Sequence, residues 1–206
     1  MAKRSTFTLI AFVILTALTM STEAAEAVSA REYFGSVFPE ECRHIYHNES
    51  GSCVYMSVGA AGQYQNCPSA SYMPFESIYG AECRGGSWPS RFESDARNRG
   101  LNAVSVTGSA TYEWMRWAVR NGRWAACGCG TAHFQTVVGY DDAGTPEDED
   151  DDSWYVWNCN DVDRAPDTIY KYTDREFKRL HRASGEWCIV LVNIATRPEY
   201  PRWKVK

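Results

Sequence analysis

The sequence predicts an α+β fold, in which an N-terminal helical part with a central helix packs on an antiparallel sheet. Helix-patterned segments dominate between residues 51 and 122, and strand-like runs then follow one another. The connections between those runs are short, which favours antiparallel pairing, because parallel neighbours need a crossover of roughly a dozen residues or more.

The first helix is expected to start at Cys53. In VYMSVGAAGQYQN, Tyr55, Val58 and Gly62 fall at near-helical spacing, Ser52 or Ser50 can cap the start, and Cys67-Pro68 follows the end. SRFESDARNRG predicts a second helix, with Ser90 and Glu93 spaced as a capping box and Gly100 as terminator. LNAVSV alternates apolar and polar residues as a strand does. ATYEWMRWAVRNG makes an amphipathic helix stopped at Asn121-Gly122. The later strands are RWAACGCG, AHFQTVVGYD, SWYVWNCND and EWCIVLVNI, with a helix opened by a Thr173-x-x-Glu176 box before the last.

The chain begins with the basic tip MAKR and the uncharged run FTLIAFVILTALTM. That run is shorter than the ~20 apolar residues that span a bilayer. With Ala25-Glu26-Ala27 behind it, residues 1–27 read as a secretory signal cut near Ala27, with Ala30 as the other candidate. Residues 28–206 then form one domain with its core at about 42–193. All eight cysteines lie in it, so disulfide bonds are expected in a secreted or periplasmic monomer whose mature form leaves the membrane. A net charge of −5 argues against a nucleic-acid partner, which would show as a basic stripe.

The acidic run PEDEDDD at 146–152 reads as a solvated loop, since it lacks the glycine and terminal glutamate of an EF-hand calcium loop. In CGCGTAH, Cys127, Cys129 and His133 invite a zinc reading, but zinc sites favour two-residue spacers between cysteines. Disulfides from Cys127 and Cys129 to other strands or loops are the preferred reading, and no metal or cofactor is expected.

Cys53 is placed in a first helical turn, where unpaired N–H groups and the helix dipole favour an anion and lower a thiol's pKa. His133 opens one strand and Asn158 closes the next. Brought together, they supply a thiolate nucleophile, an imidazole acting as base and then acid, and an amide that holds the ring. Asn160, two residues on and on the same side of an extended strand, is the rival third member, and Asp161 a weaker one. The opposing reading pairs Cys53 in a disulfide, because eight cysteines pair evenly.

The segments GSCVYMS, HFQTVVGYDD and WYVWNCN, in this order and with eighty residues between Cys53 and His133, resemble the papain-like cysteine peptidases. They look closest to the compact bacterial branch that includes the double-glycine leader peptidases. The resemblance implies a papain-like fold, a Cys53-His133-Asn158 triad, a peptide or protein substrate cleaved through an acyl-enzyme, and no cofactor. It also implies an oxyanion donor about six residues before the nucleophile. The family has Gln there, whereas this chain has His47 and Asn48, of which Asn48 is preferred as a neutral amide donor. The Trp after the family's nucleophile is Val54 here, and the Ser-Trp after its Asn is Cys159-Asn160. Two rival readings stand beside this one. One is a cell-wall amidase or transpeptidase with the same Cys-His pair, the other an inactive peptide-binding module held by four disulfides.

Overall fold

The computed structural model describes residues 26–29, 52–65, 67–70, 86–145, 147–161 and 168–192. In chain order the elements are β1 (Glu26–Ser29), α1 (Cys53–Tyr64), α2 (Pro89–Asn98), β2 (Ala103–Thr107), α3 (Ala110–Arg120), β3 (Ala125–Gly128), β4 (Phe134–Asp141), β5 (Ser153–Trp157), β6 (Thr168–Thr173), α4 (Asp174–Ala183) and β7 (Trp187–Leu191). The strands form one sheet in the order β1-β6-β5-β4-β3-β7-β2. All neighbours pair antiparallel. The α+β class and the antiparallel sheet therefore agree with the sequence.

Two apolar layers sandwich this sheet. On one face, α1 with Phe92 and Ala96 of α2 packs on Ala126, Phe134, Val138, Tyr155, Trp157, Ile169 and Ile189. On the other, Tyr112, Met115 and Val119 of α3 and Phe177 of α4 pack on Cys127, Val137, Trp154, Val156, Cys188 and Val190. Strands covered on both faces need apolar side chains at successive positions, which is why SWYVW and WCIVL read as continuous runs. Val138 is the extra residue of a β-bulge, because the register with β5 passes from Val137↔Val156 to Gly139↔Tyr155. The bulge inverts the alternation, so Val137 and Tyr140 lie in the same apolar layer.

All but one of the twelve residues of α1 are buried, so this helix is surrounded rather than amphipathic. Its small residues let neighbours approach closely. A Cβ added at Gly62 would lie 2.5 Å from that of Ala70 in the 3-10 turn Pro68–Ala70.

Several local expectations change. Helix α2 starts at Pro89 with Trp88 as N-cap, and the Ser90–Glu93 box does not form. Proline's fixed φ suits the first helical position and starts the helix two residues earlier. Ser52 occupies the N-cap of α1 without a side-chain capping bond, and Ser50 lies outside the described residues. The Thr173–Glu176 box is present, with Glu176 N–H on the Thr173 hydroxyl at 3.4 Å and Thr173 N–H on the Glu176 carboxylate at 3.0 Å. Strands β1 and β6 are additions to the expected set. The expected cleavage at Ala27 falls inside β1, an edge strand, and Ala30 lies outside the described residues.

Residues 147–151 of the acidic segment are exposed, as expected, and two ion pairs also anchor it. Its turn Glu149–Asp151 places Glu149 on Arg116 at 2.9 Å and on Lys178 at 2.6 Å. Among the described residues, no helix is long and apolar enough to cross a membrane.

Candidate active site

The start of α1 is pressed against β4. Met56 N–H bonds Ser52 O at 3.0 Å to open the helix, and the Thr136 hydroxyl of β4 donates to Ser57 O at 3.3 Å. Cys53, at the first helical position, is 7 % exposed. Its sulfur takes backbone hydrogen bonds from Phe134, Val54 and Cys53 itself. Burial pushes the thiol up from its ordinary value, and these three N–H groups pull it partly back. The lowered pKa expected from the helix start is thus overturned for the resting thiol, because the helix begins inside the core, where desolvation of a thiolate outweighs the N–H donors.

His133 sits at the end of the β3–β4 turn. Gly130 and Ala132 adopt φ of 93° and 53°, Cys129 N–H closes on His133 O at 3.1 Å, and Gly130 N–H bonds Leu180 O at 3.1 Å. The ring of His133 is partly exposed, and its Nε2 lies 2.9 Å from Asn158 Oδ1. An amide oxygen only accepts, so Nε2 carries a proton and Nδ1 is the nitrogen left to gain or lose one. No hydrogen bond joins the His133 ring to Cys53; the sulfur meets the backbone one residue on.

Asn158 follows β5 and is held in turn. Its Oδ1 also accepts from Asn160 N–H at 3.0 Å, as the chain curls through the 3-10 turn Cys159–Asp161. The amide that bonds the imidazole is therefore that of Asn158, while Asn160 is exposed and contributes its backbone. Sequence parity assigns both residues to one side, but the turn ends that alternation after Asn158. Cys159 is buried in the same apolar layer as Cys53, and its Sγ donates to Phe134 O at 3.6 Å. Neither this contact nor the Thr136 clamp was read from sequence; the one available signal was a threonine within an apolar strand.

Asn48 and His47, the expected oxyanion donors, lie outside the described residues. Among the described residues no group of three or more His, Cys, Asp or Glu side chains is arranged to hold a metal ion. No two of the six described cysteines are joined by a disulfide, and Cys42 and Cys83 lie outside the described residues. The expected disulfides from Cys127 and Cys129 to other strands or loops are not present, although Cys127 does face another strand. It stands opposite Cys188 on the adjacent strand β7. Burial pushes Cys129 and Cys188 up to about 12, and it raises Cys127 as well, helped by those two neighbours. A shallow cleft lined by Glu113, Arg116, Trp117, Arg120, Asn121 and Glu149 lies on α3, across the sheet from Cys53.

No family model matches the chain, and no curated protein sequence matches it.

Proposed function

We propose that the protein is a thiol hydrolase of papain-like fold that cleaves amide bonds in peptides or proteins, with Cys53 as nucleophile, His133 as base and acid, and Asn158 as the group that holds the ring. The observation that supports this best is the 2.9 Å bond from His133 Nε2 to Asn158 Oδ1, beside a helix-start sulfur bonded by the backbone of Phe134.

In this reading Cys53 gives its proton to Nδ1 of His133, and the thiolate attacks the scissile carbonyl. The imidazolium then offsets the burial that disfavours an isolated thiolate, and Asn158 stabilises it from the far nitrogen. Backbone N–H of Cys53, with Asn48 or His47, bears the oxyanion, a contribution commonly worth about 3 kcal/mol. Nδ1–H protonates the leaving amine. Water, deprotonated by the same ring, then releases the acyl group from sulfur. The active form is a monomer of residues 28–206, secreted or periplasmic, that acts without a cofactor.

Burial of Cys53 and its raised pKa favour a second reading, a peptide-binding module without turnover. Iodoacetamide labelling of Cys53 from about pH 4 to 9, with His133→Ala in parallel, separates the two. Fast labelling at neutral pH that collapses in the variant supports the hydrolase. Labelling only above about pH 8.5, as for an ordinary thiol, supports the module. Digestion of purified peptidoglycan against casein then distinguishes a cell-wall amidase from a peptidase.

A further inference from the structure

A second thiol meets the backbone of the same residue as the first. Cys159 is 0 % exposed and its Sγ donates to Phe134 O at 3.6 Å, while the sulfur of Cys53 takes the backbone hydrogen bond of that same Phe134. In an extended strand the N–H and C=O of one residue point to the same side, so both sulfurs meet the same edge of β4 at Phe134. Both cysteines belong to one apolar layer, and α1 is in contact with the turn Cys159–Asp161.

The remaining described cysteines are badly placed to compete. Cys127, Cys129 and Cys188 belong to the layer on the opposite face of the sheet. Cys67 lies past the far end of α1, whose twelve residues extend about 18 Å at 1.5 Å per residue.

We propose that Cys53 and Cys159 are an oxidative modification site, joined by a reversible disulfide when the protein meets a hydroperoxide. The Cys53 thiolate attacks one peroxide oxygen, the O–O bond breaks, and the second oxygen leaves as hydroxide and takes up a proton. Cys53 is now a sulfenic acid. The Cys159 sulfur attacks it, the S–O bond breaks, and that oxygen departs as water with the Cys159 proton. Two thiols and one hydrogen peroxide thus become one disulfide and two waters. The bond ties the start of α1 to the turn that follows β5 and keeps Cys53 from the irreversible sulfinic state. Loss of hydrolysis on oxidation rests on Cys53 being the nucleophile; formation of the bond requires only that its thiol reacts with peroxide.

The test uses the full chain, reduced, exposed to graded hydrogen peroxide, blocked with N-ethylmaleimide and mapped by mass spectrometry without reduction. The expected product is a linked peptide pair holding Cys53 and Cys159, lighter by two hydrogens than the sum of its parts and released by dithiothreitol. In Cys159→Ser, Cys53 is expected to advance to the sulfinic acid at doses that leave the wild-type protein recoverable. An unreacted Cys53, a sulfinic Cys53 in the wild type without the link, or a link from Cys53 to Cys42, Cys67 or Cys83 overturns the proposal. Casein hydrolysis is measured on the same reduced sample. A link without hydrolysis removes the hydrolase reading alone, and hydrolysis without a link removes the disulfide alone.

Discussion

Each face of the sheet carries a histidine and cysteines, and the two sets sit at different places on their elements. On the α1 face, Cys53 opens a helix, His133 precedes a strand and Asn158 follows one. On the α3 and α4 face, Cys127 and Cys188 lie within strands, opposite one another. His181, in the last turn of α4, is 0 % exposed, with Nδ1 on Gly128 O at 2.6 Å and Nε2 on Thr111 Oγ1 at 2.9 Å. Both of its ring nitrogens are used in holding α4 to β3 and α3, whereas among the described residues only Nε2 of His133 is bonded. Buried on every side, the His181 ring is used up in packing, whereas the partly exposed His133 ring is held through one nitrogen. The same residue types thus give structure on one face and a candidate site on the other.

Exchanging the two histidines for alanine is the strongest way to break this contrast. His133→Ala is expected to lower kcat/KM for peptide hydrolysis by about 10²–10⁴-fold with little change in unfolding midpoint. His181→Ala is expected to cost about 2–4 kcal/mol in urea unfolding, through lost packing and two abandoned hydrogen-bond partners, with turnover per folded molecule unchanged. Reversed effects in these two measurements would abolish the distinction between the faces.

A smaller effect sharpens the assignment on the site face. Asn158→Ala removes an orienting bond worth about 1–1.5 kcal/mol, so turnover should fall by about tenfold. Asn160→Ala keeps the backbone N–H that supports Asn158 and should leave the rate nearly unchanged. Equal losses in both variants would return Asn160 to the triad.

The smallest expected effect is on pH. Burial holds His181 below its ordinary pKa near 6.5, against the Gly128 carbonyl and the charge of Glu186, which favour the proton. Between the folded pKa and about 6.5 the unfolded chain binds a proton that the folded one does not, so stability rises with pH there and is eroded as pH falls through that range. Urea midpoints of the wild type should decline on acidification below about pH 6.5, and His181→Gln should flatten that part of the curve. An unchanged slope in the variant would assign the acid sensitivity elsewhere.

How far the sequence carries the fold depends on whether the signal is local. Cys53, His133 and Asn158 were readable because each follows or precedes a run of clear periodicity, and the Thr173–Glu176 box because its partners lie within one turn. The choice between Asn158 and Asn160 was not readable, since strand parity treats them alike and only the turn Cys159–Asp161 separates them. The Ser90–Glu93 box failed because Pro89 sets the helix start. The second apolar layer was hidden because residues such as Trp154 and Tyr155, neighbours in sequence, are both buried, on opposite faces. The raised thiol of Cys53 was missed for the same reason: burial of α1 on nearly every side comes from partners distant in sequence.

Strand β7 lies between β3 and β2 in the sheet, although it comes after both in the chain. Its residues pair with Ala103–Thr107 on one side and with Ala125, Ala126 and Cys127 on the other, so among the described residues no strand pairing joins β2 to the β3–β6 meander until residues 187–191 exist. A nascent chain therefore carries Cys53, His133 and Asn158 while the edge of β3 is still unpaired and α1 lacks Ile189 and Leu191 beneath it. The apolar bed beneath the helix that Cys53 opens is thus incomplete until this strand, the last in chain order among the described residues, has been made.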